Sequence, residues 1–208
     1  MPQIHATGTH ETFTRAERAT ITARVSVTAA DRALSIADAT NLHNLIAARA
    51  QQLRDSGDAT WHAADAPSTW IHTIHGNDGS NAGVEHVTTS RVRVKLANLS
   101  LVGQFVEELS NAGAETEVSW SLTDVTRRER EREARKAAVG AAREVAEDYA
   151  DALGEKIVRV VSISDGVQAP GFGGPRMLAA AAYSAEGAEV SIAEITVSAS
   201  VAGVFETE

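Results

Sequence analysis

An α+β fold, an antiparallel sheet with helices packed on it, is predicted by three patterns in this sequence. Period-two alternation marks separate strands, sharpest in Ala19–Val27, where Ile21, Ala23, Val25 and Val27 face one way and Thr20, Thr22, Arg24 and Ser26 the other. Apolar residues at helical spacing mark helices between them. The elements follow one another as strand, helix, strand, strand, helix, strand, and then a long helix and two more strands.

In order along the chain, a short strand over Gln3–Thr9 precedes Ala19–Val27, with a turn near Thr14–Glu17. Asp31 opens a helix that runs to about Ser56 and stops at Gly57, a residue at ease in the left-handed conformation. Its best apolar stripe takes in Ala33, Ile36, Ala37, Leu42, Leu45, Ile46 and Leu53. Thr60–His75 reads as extended, and Pro67 inside it implies an edge position or a break. Gly76–Gly83 is a loop by composition. Val84–Leu96 alternates again, with Val92, Val94 and Leu96 set against Arg91, Arg93 and Lys95. Asn98 or Ser100 caps a helix whose stripe is Leu101, Val102, Phe105, Val106 and Leu109, ended by Asn111-Ala112-Gly113. Glu115–Leu122 is the next strand, with Val118, Trp120 and Leu122 on one face.

Strand, helix, strand, strand, helix, strand is the ferredoxin-like βαββαβ order, in which helices cover one face of an antiparallel sheet. Asp124 or Thr126 then starts the longest helix, with Thr126-Arg127-Arg128-Glu129 fitting a capping box. A small-residue stripe of Ala134, Ala138, Ala141, Val145, Tyr149 and Leu153 leads to a stop at Gly154. Ile157–Ile163 reads as a buried strand, and Glu189–Phe205 as a long strand with a change of phase near Ala193–Glu194. The expected organisation is a single domain over 1–208. A βαββαβ portion with an extra N-terminal strand fills 3–123, and the long helix plus two strands, joined by a mobile loop over 165–188, fills 124–208.

Composition narrows the function. A chain of 208 residues buries roughly 70% of its unfolded surface and needs no staples. It has no cysteine, which excludes disulfides, thiolate metal sites and a cysteine nucleophile. A net charge of −9 argues against a general nucleic-acid or anionic-membrane binder. The longest apolar stretch, Met177–Tyr183, is far short of the roughly 20 residues that span a bilayer. The first residues carry neither a basic start nor an apolar run, so the expected location is cytoplasmic.

Four stretches together resemble the SIMPL-domain family of bacterial proteins, which includes periplasmic immunogenic proteins of Gram-negative pathogens. They are IHATGTHETFTRAERATITARVSV, RVRVKLANLSLVGQFVEELSNAGAE, ARKAAVGAAREVAEDYADALGEKIVRVVSISDG and EVSIAEITVSASVAGVFE, in that order over nearly the whole chain. The resemblance implies a non-enzymatic homo-oligomer, ring- or channel-like in some members, with links to envelope and oxidative-stress physiology. It carries over no functional residues, and it makes a periplasmic or exported location the alternative. This chain departs from periplasmic members in lacking an evident signal peptide, and its PGFGGPR segment replaces longer Pro- and Met-rich loops.

The residues themselves offer few chemical constellations. Among seven histidines, His72 and His75 lie three apart, which on a strand puts them on opposite faces. His62 and His72 share a face of a continuous strand but would lie about 33 Å apart, and His5 and His10 form no better pair. Ser162-Ile163-Ser164-Asp165-Gly166 brings a serine near a carboxylate, but at a strand end before a turn, where such residues satisfy backbone groups. Glu107-Glu108 and Glu147-Asp148 are adjacent on helices and so diverge into solvent. Gly171-Phe172-Gly173-Gly174 fits neither a phosphate-cradling nor a dinucleotide fingerprint. Arg127 to Glu133 alternates in charge, with Arg127–Glu131, Glu131–Arg135 and Glu129–Arg132 at ion-pair spacing.

No catalytic, cofactor-binding or metal-ligating residue is therefore assigned, and no cofactor is expected. The expected partner is a second copy of the chain, with no nucleic acid and no transmembrane segment. The alternative is a small-molecule or metal-binding module built on Trp61–His75.

Overall fold

The computed structural model describes residues 2–75, 81–166 and 190–208. Among them are two antiparallel sheets and three α-helices, an α+β architecture. The first half runs β1 (Gln3–Arg15), β2 (Arg18–Ala29), α1 (Arg32–Asp55), β3 (Ala59–Ala64), β4 (Ser68–His75) and β5 (Asn81–Leu96). After a 3-10 turn at Leu99–Leu101 come α2 (Val102–Asn111), β6 (Glu115–Ser121), α3 (Asp124–Leu153), β7 (Ile157–Asp165) and β8 (Glu194–Thr207). These elements form two compact bodies.

One body is a five-stranded sheet in the order β3-β5-β2-β6, with β4 also paired to β5, and with α1 and α2 packed on it. Alternation along the strands sends Ile21, Val25, Val92, Val94 and Leu96 into a core shared with Ile46 and Leu53 of α1 and Val102, Phe105 and Leu109 of α2. The α2 stripe is the one expected. Pro67 falls in the break between β3 and β4, both of which lie on the sheet edge. Asp31 caps α1, accepting from Leu34 N–H at 2.8 Å, and Gly57 follows its end at φ +83°.

The buried face of α1 differs from the expected stripe. Ser35, Ala39, His43, Ile46, Ala50 and Leu53 are buried, whereas Leu45 is 60% exposed. The physical reason is a polar seam beneath the helix. Ser35 Oγ donates to Val27 O at 3.0 Å and lies 2.7 Å from Thr88 Oγ1, which in turn meets Thr69 Oγ1 at 2.9 Å. His43 Nδ1 meets Ser90 Oγ at 2.9 Å. Small and polar side chains that satisfy one another leave no hydrophobic signature for a periodicity reading to find.

Past the end of α1, Asp58 ties the helix to the turn that follows β5. Its carboxylate accepts from Asn98 Nδ2 at 2.8 Å and Ser56 Oγ at 2.7 Å. The Asn98 amide first, and the Ser56 hydroxyl next, hold the Asp58 carboxyl below its ordinary range. A carboxyl depressed in the folded state stabilises the fold above its unfolded pKa, and that contribution is lost as pH falls through the lower folded value. Asn98→Ala is expected to return the Asp58 titration toward the ordinary carboxylate value in an NMR pH series. An unmoved titration contradicts this origin of the shift.

The other body is a three-stranded sheet, β1-β8-β7, with α3 laid on β1 and β8. The N-terminal strand, grouped by the sequence with residues 3–123, thus pairs with the far end of the chain, from Gln3 opposite Glu206 to Arg15 opposite Glu194. Alternation reports which way a strand faces and carries no record of its partner, so this pairing is invisible in the sequence. The chain changes sheets where Ala16 N–H donates to Ala193 O and Glu17 N–H to Ser121 O.

The buried stripe of α3 also differs from expectation. It is Ala134, Ala138, Ala142, Ala146 and Ala150, at strict four-residue spacing, while Tyr149 and Leu153 are 54% and 69% exposed. The cap is Thr123, whose side chain accepts from Thr126 N–H at 3.3 Å, instead of a box starting at Thr126. All-alanine packing lets the helix backbone sit directly on β1, where Gly8 meets Ala138 and Ala142. Gly154, at φ +73°, closes the helix as expected. Strand β8 begins at Glu194, where the phase change falls, and runs on to Thr207. Of the loop expected over 165–188, residues 167–188 lie outside the described residues, as do 76–80 of the Gly76–Gly83 loop and the Met177–Tyr183 and PGFGGPR segments.

Candidate functional site

Two surfaces of the described chain depart from what a self-sufficient fold presents, one on each body. The first is β7. Read from its Val- and Ile-rich sequence as buried, it is instead an edge strand with only Ile157 partly sheltered. Val158, Val160, Val161 and Ile163 are each 42–48% exposed, spread over both faces of the strand. Shifts in the pairing with β8, between Ile157 and Arg159 and between Val160 and Ser162, turn successive side chains outward. The strand reaches Asp165, so Ser162–Asp165 is part of the ladder and not a turn; Ser164 Oγ lies 3.5 Å from Ala202 O, and Gly166 N–H donates to Ser200 O. Arg159 is neutralised by an ion pair with Glu206.

The other sheet edges carry some protection, although β4 leaves Trp70, Ile71 and Ile74 exposed and β1 leaves Phe13 exposed. The β6 edge carries Glu115 and Glu117, the β3–β4 edge is interrupted at Pro67, and β1 is largely polar beyond Gly8. Charge, proline and interruption are the ordinary ways an edge is kept from pairing. Strand β7 has neither a lysine nor a proline.

The second surface is the face of the five-stranded sheet opposite α1 and α2. It presents Arg91, Arg93 and Lys95 at alternate positions of β5, Arg24 of β2, and Glu115 and Glu117 of β6. Trp61 lies on the same face, with the Arg93 guanidinium 5.7 Å from its ring centre. The β3–β4 break opens beside this face into a shallow cavity of about 470 Å³.

The histidines of the Trp61–His75 region do not converge. His62 is paired opposite Val94 and His72 opposite Glu85, nine positions apart on β5, or about 30 Å along the strand. His72 Nδ1 instead lies 3.9 Å from Glu85. No group of three or more metal-ligating side chains occurs among the described residues. Glu108 and Glu147 are engaged by Arg49 at 3.0 Å and Arg143 at 2.7 Å. On the first turns of α3 the pairs are Arg127–Asp124 at 2.6 Å and Arg130–Glu133 at 2.7 Å. They differ from the expected pairs because spacing gives several options, and Arg127 turns back to the acidic first turn. No described helix is long and apolar enough to cross a membrane.

A profile of the SIMPL family, described as a protein of unknown function, matches residues 4–205. No curated protein matches the chain. Among solved structures, the de novo designed protein Foldit4 is 16% identical, with 51% of this chain and 99% of that one covered and a TM-score of 0.27. A protein described as an aminohydrolase from methicillin-resistant Staphylococcus aureus is 12% identical, covering 58% of this chain and 32% of that one, at a TM-score of 0.24. One described as an amidohydrolase/peptidase from Burkholderia cenocepacia is 13% identical, covering 66% and 35%, at 0.23. At such TM-scores these likenesses carry no argument about fold or chemistry.

Proposed function

We infer, starting from the fact that this chain belongs to the SIMPL family, that it is a non-enzymatic assembly protein whose working form is a homo-oligomer. The observation that carries this reading is the edge β7, with four half-exposed valine and isoleucine side chains. Exposed apolar surface on an unguarded edge is a contact surface or an aggregation hazard. A second copy of the chain is the occupant that the family resemblance supports. Because the ladder of β7 is irregular, the apolar side chains and not a continuous run of backbone hydrogen bonds supply the contact. If β7 meets β7 the product is a two-fold dimer; if it meets the β1 edge of the next copy the contact is heterologous, and it gives a ring where the rotation per copy closes and an open filament where it does not. The ring agrees with the channel-like assemblies the resemblance implies, and with a role in envelope or oxidative-stress physiology.

The ferredoxin-like reading of the five-stranded body rests on its strand order. The first and third strands of its βαββαβ run, β2 and β5, are central neighbours, and the second and fourth lie outside them. The net charge of −9 supports a partner other than nucleic acid.

Val160→Lys with Ile163→Lys is expected to reduce the solution mass of the assembly to that of a smaller species. Both side chains are already about half exposed, so folding should be retained, as circular dichroism would check. An assembly of unchanged mass in the doubly substituted protein would show that β7 is not the contact.

A further inference from the structure

The open face of the five-stranded sheet gathers hydrogen-bond donors in two adjacent rows. In one, Ser68 of β4, Thr89 of β5 and Ser26 of β2 are successive partners across three strands. In the next, two residues along, Arg91 of β5 is the direct partner of Arg24 of β2. The rows are about 7 Å apart along the strands. All five side chains line the cavity of about 470 Å³ at the β3–β4 break.

Arg24 and Arg91 are like charges in direct cross-strand register, an arrangement that by itself destabilises a sheet. Two of the neighbouring cations are compensated, Arg93 by Asp65 at 3.1 Å and Arg24 by Glu117 at 3.5 Å. Arg91, set between Arg24 and Arg93 on the same face, has no carboxylate within ion-pair distance among the described residues. The hydroxyls of Ser26, Ser68 and Thr89 likewise have no hydrogen bond to another described residue. Two carboxylates reach the rim, Asp65 and Glu115, and Glu115 is the partner of Arg24 on its other side.

We propose that this cluster is a binding site for one oxyanion group, a phosphate or a carboxylate, on a small molecule. The Arg91 guanidinium takes it as a charge-assisted, two-pronged donor. Arg24 supplies the opposite wall, and Thr89, Ser26 and Ser68 supply neutral donors to the remaining oxygens. The rim carboxylates limit the charge the site accepts, which favours a single anionic group over a polyanion. The site stands on the five-stranded body and does not depend on assembly through β7.

Calorimetric titration of the full chain with inorganic phosphate and, separately, acetate, at constant ionic strength, tests this. Saturable binding of at least one is expected, with Arg91→Gln weakening it by about tenfold or more. Glu115→Gln is expected to tighten it, since it removes a repelling charge. Without the anion, Arg91→Gln is expected to melt at or above the temperature of the unaltered protein, because no carboxylate is lost and a like-charge contact is relieved. Tighter phosphate assigns a phosphate-bearing ligand, and tighter acetate a carboxylate-bearing one. The proposal is overturned by no saturable binding of either anion, by an equal response to chloride, or by affinities that neither substitution moves. A large loss of stability in anion-free Arg91→Gln also overturns it, by showing that the side chain is structural.

Discussion

Gly8→Ala is expected to cost about 3 kcal/mol, the upper end of what overpacking usually exacts. A Cβ built on Gly8 would lie 2.8 Å from Ala142 Cα and closer still to Ala138 O and Ala142 N. The obstruction is backbone of α3, not the tip of a side chain that can swing away, so either the helix lifts off the sheet or β1 shifts. Both responses disturb the buried row Ala134–Ala150 that holds the three-stranded body together. Total stabilities of domains run to only about 5–15 kcal/mol, so the loss is a large share. Gly140, on the solvent side of the same helix, has nothing within 4 Å of its would-be Cβ. Gly140→Ala is therefore expected to stabilise, by about 0.5–1 kcal/mol. Urea denaturation of the two variants should move in opposite directions; a neutral Gly8→Ala would show that α3 does not sit on β1 this closely.

Phe105→Ala is expected to cost about 3–5 kcal/mol. Phe105 is 2% exposed and is among the largest fully enclosed side chains of the five-stranded body. Helix α2 is 10 residues long, too short to persist in water on its own propensity. Its attachment comes from Val102, Phe105 and Leu109, and the central anchor is the one removed. Phe105→Leu, which leaves a smaller void, is expected to cost clearly less. Denaturation followed by the fluorescence of Trp120, which packs against the same core, would measure both. Equal effects from the two substitutions would mean that the site collapses around the void.

The difference between these helices explains what was legible in the sequence. Helix α2 buries valine, phenylalanine and leucine, so its face could be read by spacing alone. Apart from Ile46 and Leu53 of α1, helices α1 and α3 bury alanine, serine and histidine, residues that carry little hydrophobic signal, while Leu45, Tyr149 and Leu153 point outward. A periodicity reading follows the large apolar residues, so it finds Ile46, Leu53, Ala134 and Ala138 but extends both stripes onto the exposed Leu45, Tyr149 and Leu153. Strand β7 misled for the same reason: a run of valine and isoleucine resembles a core strand, and only its position at the edge of a three-stranded sheet reveals it as exposed.

Positions set by distant pairing were the least accessible. The outward alternation of Arg91, Arg93 and Lys95 was plain, but the placement of Arg24 beside Arg91 required knowing that β2 and β5 are neighbours. Splitting of the Trp61–His75 segment into two strands was signalled by Pro67, and the separation of its histidines follows from the strand spacing. The link between the two chain ends through β1 and β8 had no local signal at all.

The central claim is that the apolar edge β7 is completed by another copy of this chain. Light scattering coupled to size exclusion, at micromolar concentration, measures it most directly. A mass of two or more whole multiples of 21.9 kDa is the expected result. A single species of 21.9 kDa across that concentration range would contradict it.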